Sequence, residues 1–267
     1  MKFSLPVAVA LWAAVASALP EPVELIEGPT KTQKEASLVA RQAKVPPSSG
    51  VENSKTAITV KAGASFDGKN KRYERNPKVC QGQKETGEKD AMFIIEDGGS
   101  LSNVIIGASQ AEGVHCRGTC TITNVWWTKV CEDAATFNQK SGTSKVIGGG
   151  AIGASDKVLQ FNGKGTVEIT DFYVQDYGKL IRSCGDCEGN GGPRNVVITG
   201  VTAIGKGPLC GINQNYGDTC TIKDSCQSQS KGCDIYQGVT NHKGESKKLK
   251  SNANDGKTCK VSGFKKC

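Results

Sequence analysis

A short strand-like motif recurs along this chain, and its spacing limits the possible folds more than any other feature. The motif consists of an apolar residue or cysteine, any residue, isoleucine, a polar residue and a turn residue. It occurs at residues 120–125, 167–172, 196–201 and 220–225, and its central isoleucines are residues 122, 169, 198 and 222. With the Val-Ile run at 146–147 placed between the first two, the motif repeats every 22 to 29 residues. A repeat of this length is typical of one coil of a solenoid.

The rest of the pattern agrees with stacked coils of β-structure. From about residue 57 to residue 235, short β-rich runs alternate with turns rich in Gly, Asn and Asp, and no long amphipathic helix is evident. The 33 glycines suit tight corners between short strands. An antiparallel sandwich is the competing all-β fold, but the repeat is too long for hairpins with short loops. We therefore predict an all-β fold, a right-handed parallel β-helix stapled by disulfides.

The N-terminus and the cysteines both indicate export. Residues 1–18 resemble a signal peptide, with a basic start, an apolar run too short for a membrane span, and a small-residue cleavage site. All twelve cysteines follow it, and an even, high count in an exported chain indicates a disulfide framework of unknown pairing. The Cys184-x-x-Cys187 pair is predicted to be a structural disulfide. We predict a propeptide-like arm at 19–50, a catalytic β-helix at 51–237 and a lysine-rich tail at 238–267, tied down by Cys259 and Cys267.

The net charge favours an acidic partner. The formal charge is +8 and the isoelectric point is about 8.8, which suits nucleic acid, an anionic membrane or a polyuronic acid. Aromatic residues are few and no nucleic-acid-binding motif is present, so we expect no nucleic-acid partner. We also expect no membrane partner, and we expect the protein to be a monomer. Much of the basic excess lies in the C-terminal tail, where its simplest interpretation is a solvated set of lysines.

Two acidic clusters are separated by about one predicted coil. Glu112 lies before one strand-like run, and the adjacent pair Glu132 and Asp133 lies after it. Coil stacking would bring the three carboxylates together, where they repel one another unless a cation lies between them. Hard oxygen ligands of this kind suit Ca²⁺ better than a transition metal. The alternative is three solvated loop acids.

Basic residues continue the same spacing. Lys157 lies 25 residues after Glu132, Lys179 lies 22 residues after Lys157, and Arg182 follows three residues later. Glu112, Asp133, Lys157 and Lys179 are therefore predicted to align on successive rungs, which would give a groove with acids at one end and cations at the other. The alternative is a ladder of structural ion pairs.

Such a groove suits β-elimination of a polyuronate. A cation that binds the uronate carboxylate acidifies the proton on C5, and a lysine or arginine whose pKa is lowered by neighbouring positive charge can remove it. A glycoside hydrolase instead needs two carboxylates flanking the bond. Glu132 and Asp133 are adjacent, so on one strand they would point to opposite faces and form a poor hydrolytic pair.

Five segments now identify a family resemblance. They are EGVHC at residues 112–116, NVWW at 124–127, VCEDA at 130–134, ASDKV at 154–158 and GKLIR at 178–182. In this order and spacing they resemble the pectate lyases of polysaccharide lyase family 3, and the many cysteines resemble the fungal branch. The resemblance implies a secreted enzyme that cleaves polygalacturonate by Ca²⁺-dependent trans-elimination and gives 4,5-unsaturated oligogalacturonides.

The resemblance also implies roles for site residues. It assigns Glu112, Glu132 and Asp133 to calcium, although bacterial members usually have Asp where this chain has Glu112. It assigns the basic trio to proton abstraction and substrate binding, with Lys157 as the first choice for the base and Arg182 as the second.

The same resemblance gives Lys179 the role of holding a substrate carboxylate. Glu88 lies in a segment where some members have a further acidic site residue, but the local match is loose. His115 is expected to be packed and hydrogen-bonded, and one of Trp126 and Trp127 to lie in the core. Asp156 is expected to position Lys157.

Three other functions remain open from sequence alone. A glycoside hydrolase on the same fold would act without Ca²⁺. A Ca²⁺-assisted pectin-binding module would keep the groove without turnover, but it would need no base. A secreted effector role would add to either activity.

Overall fold

The repeated motifs form strands in the computed structural model, which describes residue 1 and residues 45–267. Within these residues the helical segments are two single 3₁₀ turns, Glu88–Asp90 and Gln214–Tyr216. The strands in chain order are β1 (Val51–Ser54), β2 (Ile58–Val60), β3 (Ser65–Arg75), β4 (Phe93–Ile95), β5 (Gly99–Ile106), β6 (Val114–Cys116), β7 (Cys120–Trp127), β8 (Ala135–Phe137), β9 (Thr143–Ile147), β10 (Gly150–Phe161), β11 (Gly165–Thr170), β12 (Tyr173–Ser183), β13 (Arg194–Thr199), β14 (Thr202–Ile204), β15 (Cys210–Asn213), β16 (Thr219–Lys223), β17 (Cys226–Gln227), β18 (Cys233–Gln237), β19 (Lys247–Lys250) and β20 (Cys259–Ser262).

These strands stack as three parallel faces of one helix. Face 1 contains β2, β4, β6, β8, the second halves of β10 and β12, and then β15 and β18. Face 2 contains the first halves of β3, β5 and β7, followed by β9, β11, β13, β16 and β20. Face 3 contains β1, the second halves of β3, β5 and β7, the first halves of β10 and β12, and then β14 and β17. Parallel pairing between successive coils, with the right-handed crossover that such connections take, confirms the predicted right-handed parallel β-helix and excludes the antiparallel sandwich.

The predicted isoleucines form one aliphatic stack inside face 2. Ile122, Ile169, Ile198 and Ile222 are at most 1% exposed. In the register of neighbouring strands, Val146 lies between Ile122 and Ile169. The next residue on β9, an isoleucine, is 39% exposed, so the rung is built on the valine. The stack buries a continuous apolar row, which is the main stabilising contribution expected in a solenoid.

The turn position of the motif bends the chain from face 2 to face 3. Asn103, Asn124, Asp171 and Asp224 have φ between 46° and 53°, and Gly200 has φ 68° at the same corner. Asn, Asp and Gly tolerate this left-handed conformation better than other residues. The side chain of Asn124 donates to Asn103 Oδ1 at 2.9 Å, so the corners also stack on one another.

All twelve cysteines are paired, which confirms the predicted disulfide framework. The pairs are Cys80–Cys131, Cys116–Cys120, Cys184–Cys187, Cys210–Cys220, Cys226–Cys267 and Cys233–Cys259. The predicted structural disulfide at 184–187 is among them, and two pairs hold the C-terminal tail. That tail also supplies β19, antiparallel to β18, and β20, parallel to β16.

Two predictions concern residues outside the described part of the chain. The signal peptide at 1–18 falls there except for residue 1, and the arm at 19–50 falls there up to residue 44. The boundaries between the predicted segments stay predictions. Among the described residues, no helix has the length and apolarity needed to span a bilayer.

Candidate functional site

The predicted acidic and basic residues lie in register at the start of the face 1 strands. Lys157 pairs directly with Lys179 across β10 and β12. Val114, Ala135 and Leu159 are paired with one another across β6, β8 and β10. Glu112, Asp133 and Lys157 each lie two residues before one of them. The predicted alignment on successive rungs is thereby confirmed. Strand register alone brings charges separated by more than 60 residues of sequence into one row.

Glu112 is buried, and its carboxylate is well supplied with hydrogen bonds. Its side chain is only 3% exposed. The backbone N–H groups of Thr86 and Gly87 donate to Oε1 at 2.9 and 3.0 Å. His115 Nε2 lies 3.4 Å from Oε2, as expected for a packed, hydrogen-bonded histidine. Burial opposes ionisation, but the hydrogen bonds from His115, Thr86 and Gly87 prevail and lower the pKa of Glu112 to about 2.

Glu132 and Asp133 are equally buried but poorly satisfied. Each is 2% exposed. Glu132 Oε2 and Asp133 Oδ1 have no hydrogen-bond partner among the described residues. Burial raises the pKa of Asp133 well above its ordinary value, because the attraction of Lys157 does not overcome burial and the repulsion of Glu132. A buried carboxylate oxygen without a hydrogen bond destabilises the folded state. The side chains of this cluster therefore do not satisfy one another.

The expected divergence of Glu132 and Asp133 is wrong. Lys157 Nζ lies 3.1 Å from Glu132 Oε1 and 3.7 Å from Asp133 Oδ1, so both carboxylates reach the same ammonium group. The alternation argument failed because the two acids occupy the turn before β8, where strand geometry does not apply.

Glu85 is a member of the acidic cluster that sequence reasoning missed. Carboxylate oxygens of Glu85, Glu112 and Glu132 lie within 4.8 Å of one another. Glu85 as a whole is exposed, but the partial desolvation of its carboxylate and the nearby charge of Glu132 raise its pKa. Glu88, the acid considered from sequence, instead pairs with Arg117 at 2.7 Å. The position of Glu85 depends on the Cys80–Cys131 disulfide, which holds the loop containing Glu85 close to Glu132. This pairing could not be deduced from the sequence.

The donor set fits a hard divalent cation. It offers only carboxylate oxygens, two of them unpartnered, in a pocket of excess negative charge. Oxygen-only sites of this kind are those that Ca²⁺ prefers. Thiolate ligands, which softer metals favour, are absent from this part of the described structure because the nearby cysteines are disulfide-bonded, and the nearby imidazole of His115 is engaged with Glu112.

Asp156 joins the two lysines that follow the acids. Its Oδ1 accepts from Lys179 Nζ at 2.6 Å and its Oδ2 from Lys157 Nζ at 3.2 Å, which agrees with the expected positioning role. Burial opposes the charge on Lys157, but Asp133, Glu132 and Asp156 together raise its pKa above the ordinary value. The sequence argument expected neighbouring positive charge to lower the pKa of the base, and the carboxylates around Lys157 act in the opposite direction.

Arg182 occupies a separate, enclosed position further along β12. It is 6% exposed, and its guanidinium lies 3.9 Å from the centroid of the Tyr236 ring. Nη1 donates to Asn213 Oδ1 at 2.9 Å, and Nη2 donates to Ser246 Oγ at 2.9 Å. Burial lowers the pKa of Arg182 to about 10. These partners come from β15, β18 and the C-terminal tail, and sequence reasoning identified none of them.

The paired tryptophans do not line this groove. Trp127 is fully buried and packs edge-on against Phe172, which confirms the expectation that one of the two lies in the core. Trp126 lies on the outer side of face 3, where it packs near Tyr173 and its Nε1 donates to Asn124 Oδ1 at 3.1 Å.

Comparison with known families gives one consistent result. The family model described as "Pectate lyase" matches residues 42–243. Among curated relatives, "Pectate lyase H" of Emericella nidulans is 49% identical over 212 residues, covering 77% of this chain and 81% of the relative. "Probable pectate lyase E" of Aspergillus flavus is 50% identical over 217 residues, covering 81% and 82%.

Solved structures agree with this similarity. The pectate lyase PelI of Erwinia chrysanthemi, in complex with tetragalacturonic acid, matches with a TM-score of 0.65 and 33% identity, over 81% of this chain and 69% of that one. The pectate lyase Pel3 of Pectobacterium carotovorum matches with a TM-score of 0.68 and 33% identity, over 80% and 72%.

Proposed function

Because the chain belongs to the pectate lyase family and is an enzyme of that kind, we propose that it cleaves (1→4)-α-D-galacturonan by calcium-dependent β-elimination. The products would have 4-deoxy-α-D-galact-4-enuronosyl groups at their new non-reducing ends. The observation that supports this best is the row of face 1 itself, where an unsatisfied carboxylate cluster adjoins an aligned pair of lysines. The PelI complex with tetragalacturonic acid supports the choice of polymer.

Glu112, Glu132 and Asp133 are the proposed calcium ligands, and we add Glu85. Glu132 and Asp133 offer the unpartnered oxygens, and Glu112 is held ionised by its hydrogen bonds. A bound Ca²⁺ would bind the uronate carboxylate, acidify the C5 proton and offset negative charge around Lys157. His115 and the Thr86 and Gly87 backbone would fix the orientation of Glu112, as partners of metal ligands generally do.

Lys157 is the proposed base. It lies on β10 between the acidic cluster and Lys179, and Asp156 orients it. Lys157 Nζ, once neutral, takes the proton from C5. The electron pair of that C–H bond passes into the enolate and then forms the C4–C5 double bond as the C4–O4 bond breaks. The leaving O4 takes a proton from solvent and becomes part of the new reducing-end fragment.

Lys179 and Arg182 are proposed to bind carboxylates of the substrate and to stabilise the negative charge that develops on the intermediate. Lys179 is partly exposed on the row, so a polyuronate can reach it. Arg182 is the alternative base, since burial lowers its pKa. Its extensive hydrogen bonding to the chain favours the binding role.

We further infer that the enzyme is secreted and acts in pectin catabolism and plant cell wall degradation. Six disulfides are typical of exported proteins and rare in a reducing cytosol. The signal-like N-terminus supports the same compartment.

The decisive experiment measures the ultraviolet absorbance of unsaturated uronates while the protein acts on polygalacturonate, with Ca²⁺ and with excess EGTA. We expect a rise in absorbance that EGTA abolishes. New reducing ends without unsaturated product would contradict elimination and indicate hydrolysis. Polymer binding with no bond cleavage would indicate the binding module instead.

A further inference from the structure

The C-terminal tail adds a cationic strand to the face that bears the site. β19 (Lys247–Lys250) has the sequence KKLK, and all four residues are exposed. It pairs antiparallel with β18, so face 1 continues from β12 through β15 and β18 to β19. Three strand spacings separate β12 from β19, which is roughly 14 Å. The lysines predicted to be solvated are exposed, and they lie on the last strand of face 1.

A chain of contacts connects this strand to Arg182. Ser246, immediately before β19, accepts a hydrogen bond from Arg182 Nη2 at 2.9 Å. Tyr236 on β18 lies 3.9 Å from the Arg182 guanidinium and 5.6 Å from Lys248 Nζ, measured to the ring centroid. The first residues of β19 are thus fixed against the arginine that is proposed to bind substrate, so the strand has a defined position relative to it.

The three lysines of β19 differ in their partners. Lys248 Nζ lies 2.7 Å from Asp234 Oδ2, and Asp234 is 4% exposed. Lys248 therefore compensates a buried charge. Lys247 and Lys250 form no ion pair within residues 45–267, and both are exposed. Two exposed cations without an ion-pair partner thus lie on the last strand of face 1, where a polyanion is the fitting ligand.

We propose that β19 is a distal binding site for the uronate chain, in which Lys247 and Lys250 bind carboxylates of sugars beyond those held by Lys179 and Arg182. The proposal rests on the proposed function for the identity of the polymer. A polyuronate bears one carboxylate per sugar, so a chain that occupies the catalytic row and continues along face 1 reaches β19. A short oligomer confined to the catalytic row does not.

The test compares Lys247→Ala/Lys250→Ala with the control Lys145→Ala/Lys223→Ala. The control removes two exposed lysines from β9 and β16 on face 2, so the net charge changes equally. Initial rates are measured on long polygalacturonate and on trigalacturonate. For the β19 variant we expect KM on the polymer to rise about three- to tenfold at low salt, with kcat unchanged, and the effect to shrink as NaCl is added. Trigalacturonate kinetics and the control variant should match the wild type.

A charge-preserving variant and a binding measurement complete the test. Lys247→Arg/Lys250→Arg should restore the polymer KM. Equal polymer KM for the β19 variant and the control would overturn the proposal, as would an equal loss on trigalacturonate, which would indicate damage at Arg182. Equilibrium binding of polygalacturonate in EGTA separates the two proposals. If the wild type yields no unsaturated product, the proposed function fails, whereas weaker binding of the β19 variant than of the control still supports the distal site.

Discussion

The two ends of the groove handle buried charge in opposite ways. At the arginine end, the guanidinium of Arg182 is enclosed by the chain's own partners, among them Asn213, Ser246 and the Tyr236 ring. At the acidic end, Glu132 and Asp133 are just as buried, yet each has an oxygen without a hydrogen-bond partner among the described residues. The Arg182 guanidinium thus has its partners within the folded chain, whereas the acidic end has buried carboxylate oxygens that the described side chains leave without a hydrogen bond.

The acidic end contains the same contrast on a smaller scale. Glu112 accepts hydrogen bonds that lower its pKa to about 2, whereas burial raises the pKa of Asp133. One carboxylate is stabilised in its charged form before any ligand arrives, and the other is destabilised in it. Variants that remove the charge of one carboxylate at a time test whether this difference affects calcium binding and stability.

The largest effect is expected at Lys157, which lies between the two ends. Lys157→Ala should lower kcat on polygalacturonate by about 10³-fold, within the range for loss of a general base. Calcium affinity should be unchanged or tighter, because the ammonium group opposes a cation at Glu132. Steady-state kinetics and calcium titration check both parts. If Arg182→Ala abolishes turnover and Lys157→Ala retains a tenth of it, the base lies at the arginine end.

The next effect compares two carboxylates of the acidic end. Glu132→Gln and Glu112→Gln should each weaken Ca²⁺ binding by about 10- to 100-fold or more, as measured by titration. In EGTA their stabilities should diverge. Glu112→Gln should lower the free energy of unfolding by about 1–3 kcal/mol, because it loses charge-assisted hydrogen bonds. Glu132→Gln should leave it equal or higher, because it removes excess negative charge. Equal destabilisation by both would contradict the contrast between the two carboxylates.

The same contrast predicts opposite pH dependences in EGTA. The folded-state pKa of Glu112 is below its ordinary value of 4.5, so the stability it contributes is complete above pH 4.5 and is lost as the pH falls towards about 2. The folded-state pKa of Asp133 is above 3.8, so stability falls as the pH rises from 3.8 through that raised pKa. Glu112→Gln should flatten the acid limb of the unfolding curve. Asp133→Asn should raise stability at neutral pH, and this gain should vanish near pH 3.8.

The sequence predicts the positions of residues that lie within the coil repeat, and it does not predict those of residues in the loops between coils. Ile169, Ile198 and Ile222 reveal the coil length because each rung must bury the same inward position. Once the coil length is known, register aligns Lys157 with Lys179. Glu85 escaped prediction because it belongs to an irregular loop between β3 and β4, where no repeat fixes a residue's position.

The arginine end shows the other limit of sequence reasoning. Ser246 and Tyr236 reach Arg182 from β18 and the tail, across 50 or more residues, and neither belongs to a recognisable motif. The lysine-rich tail was predicted to be held by Cys259 and Cys267, but its low apolar content gave no indication of strands. It joins the fold through the backbone pairing of β19 and β20 and through disulfides, and backbone pairing leaves little trace in side-chain composition.

The smallest effect is expected from Ser246→Ala, which removes the acceptor of the hydrogen bond that Arg182 Nη2 donates. Loss of one hydrogen bond to Nη2 should let Arg182 turn on the Tyr236 ring. We expect KM on polygalacturonate to rise about two- to fivefold, consistent with one hydrogen bond, while kcat stays near the wild-type value. Ser246→Thr, which keeps the hydroxyl, should restore KM, and Ser251→Ala at an exposed tail position should have no effect. A fall in kcat with unchanged KM would mean that the hydroxyl holds Arg182 for proton transfer, and the two ends of the groove would then share the chemistry.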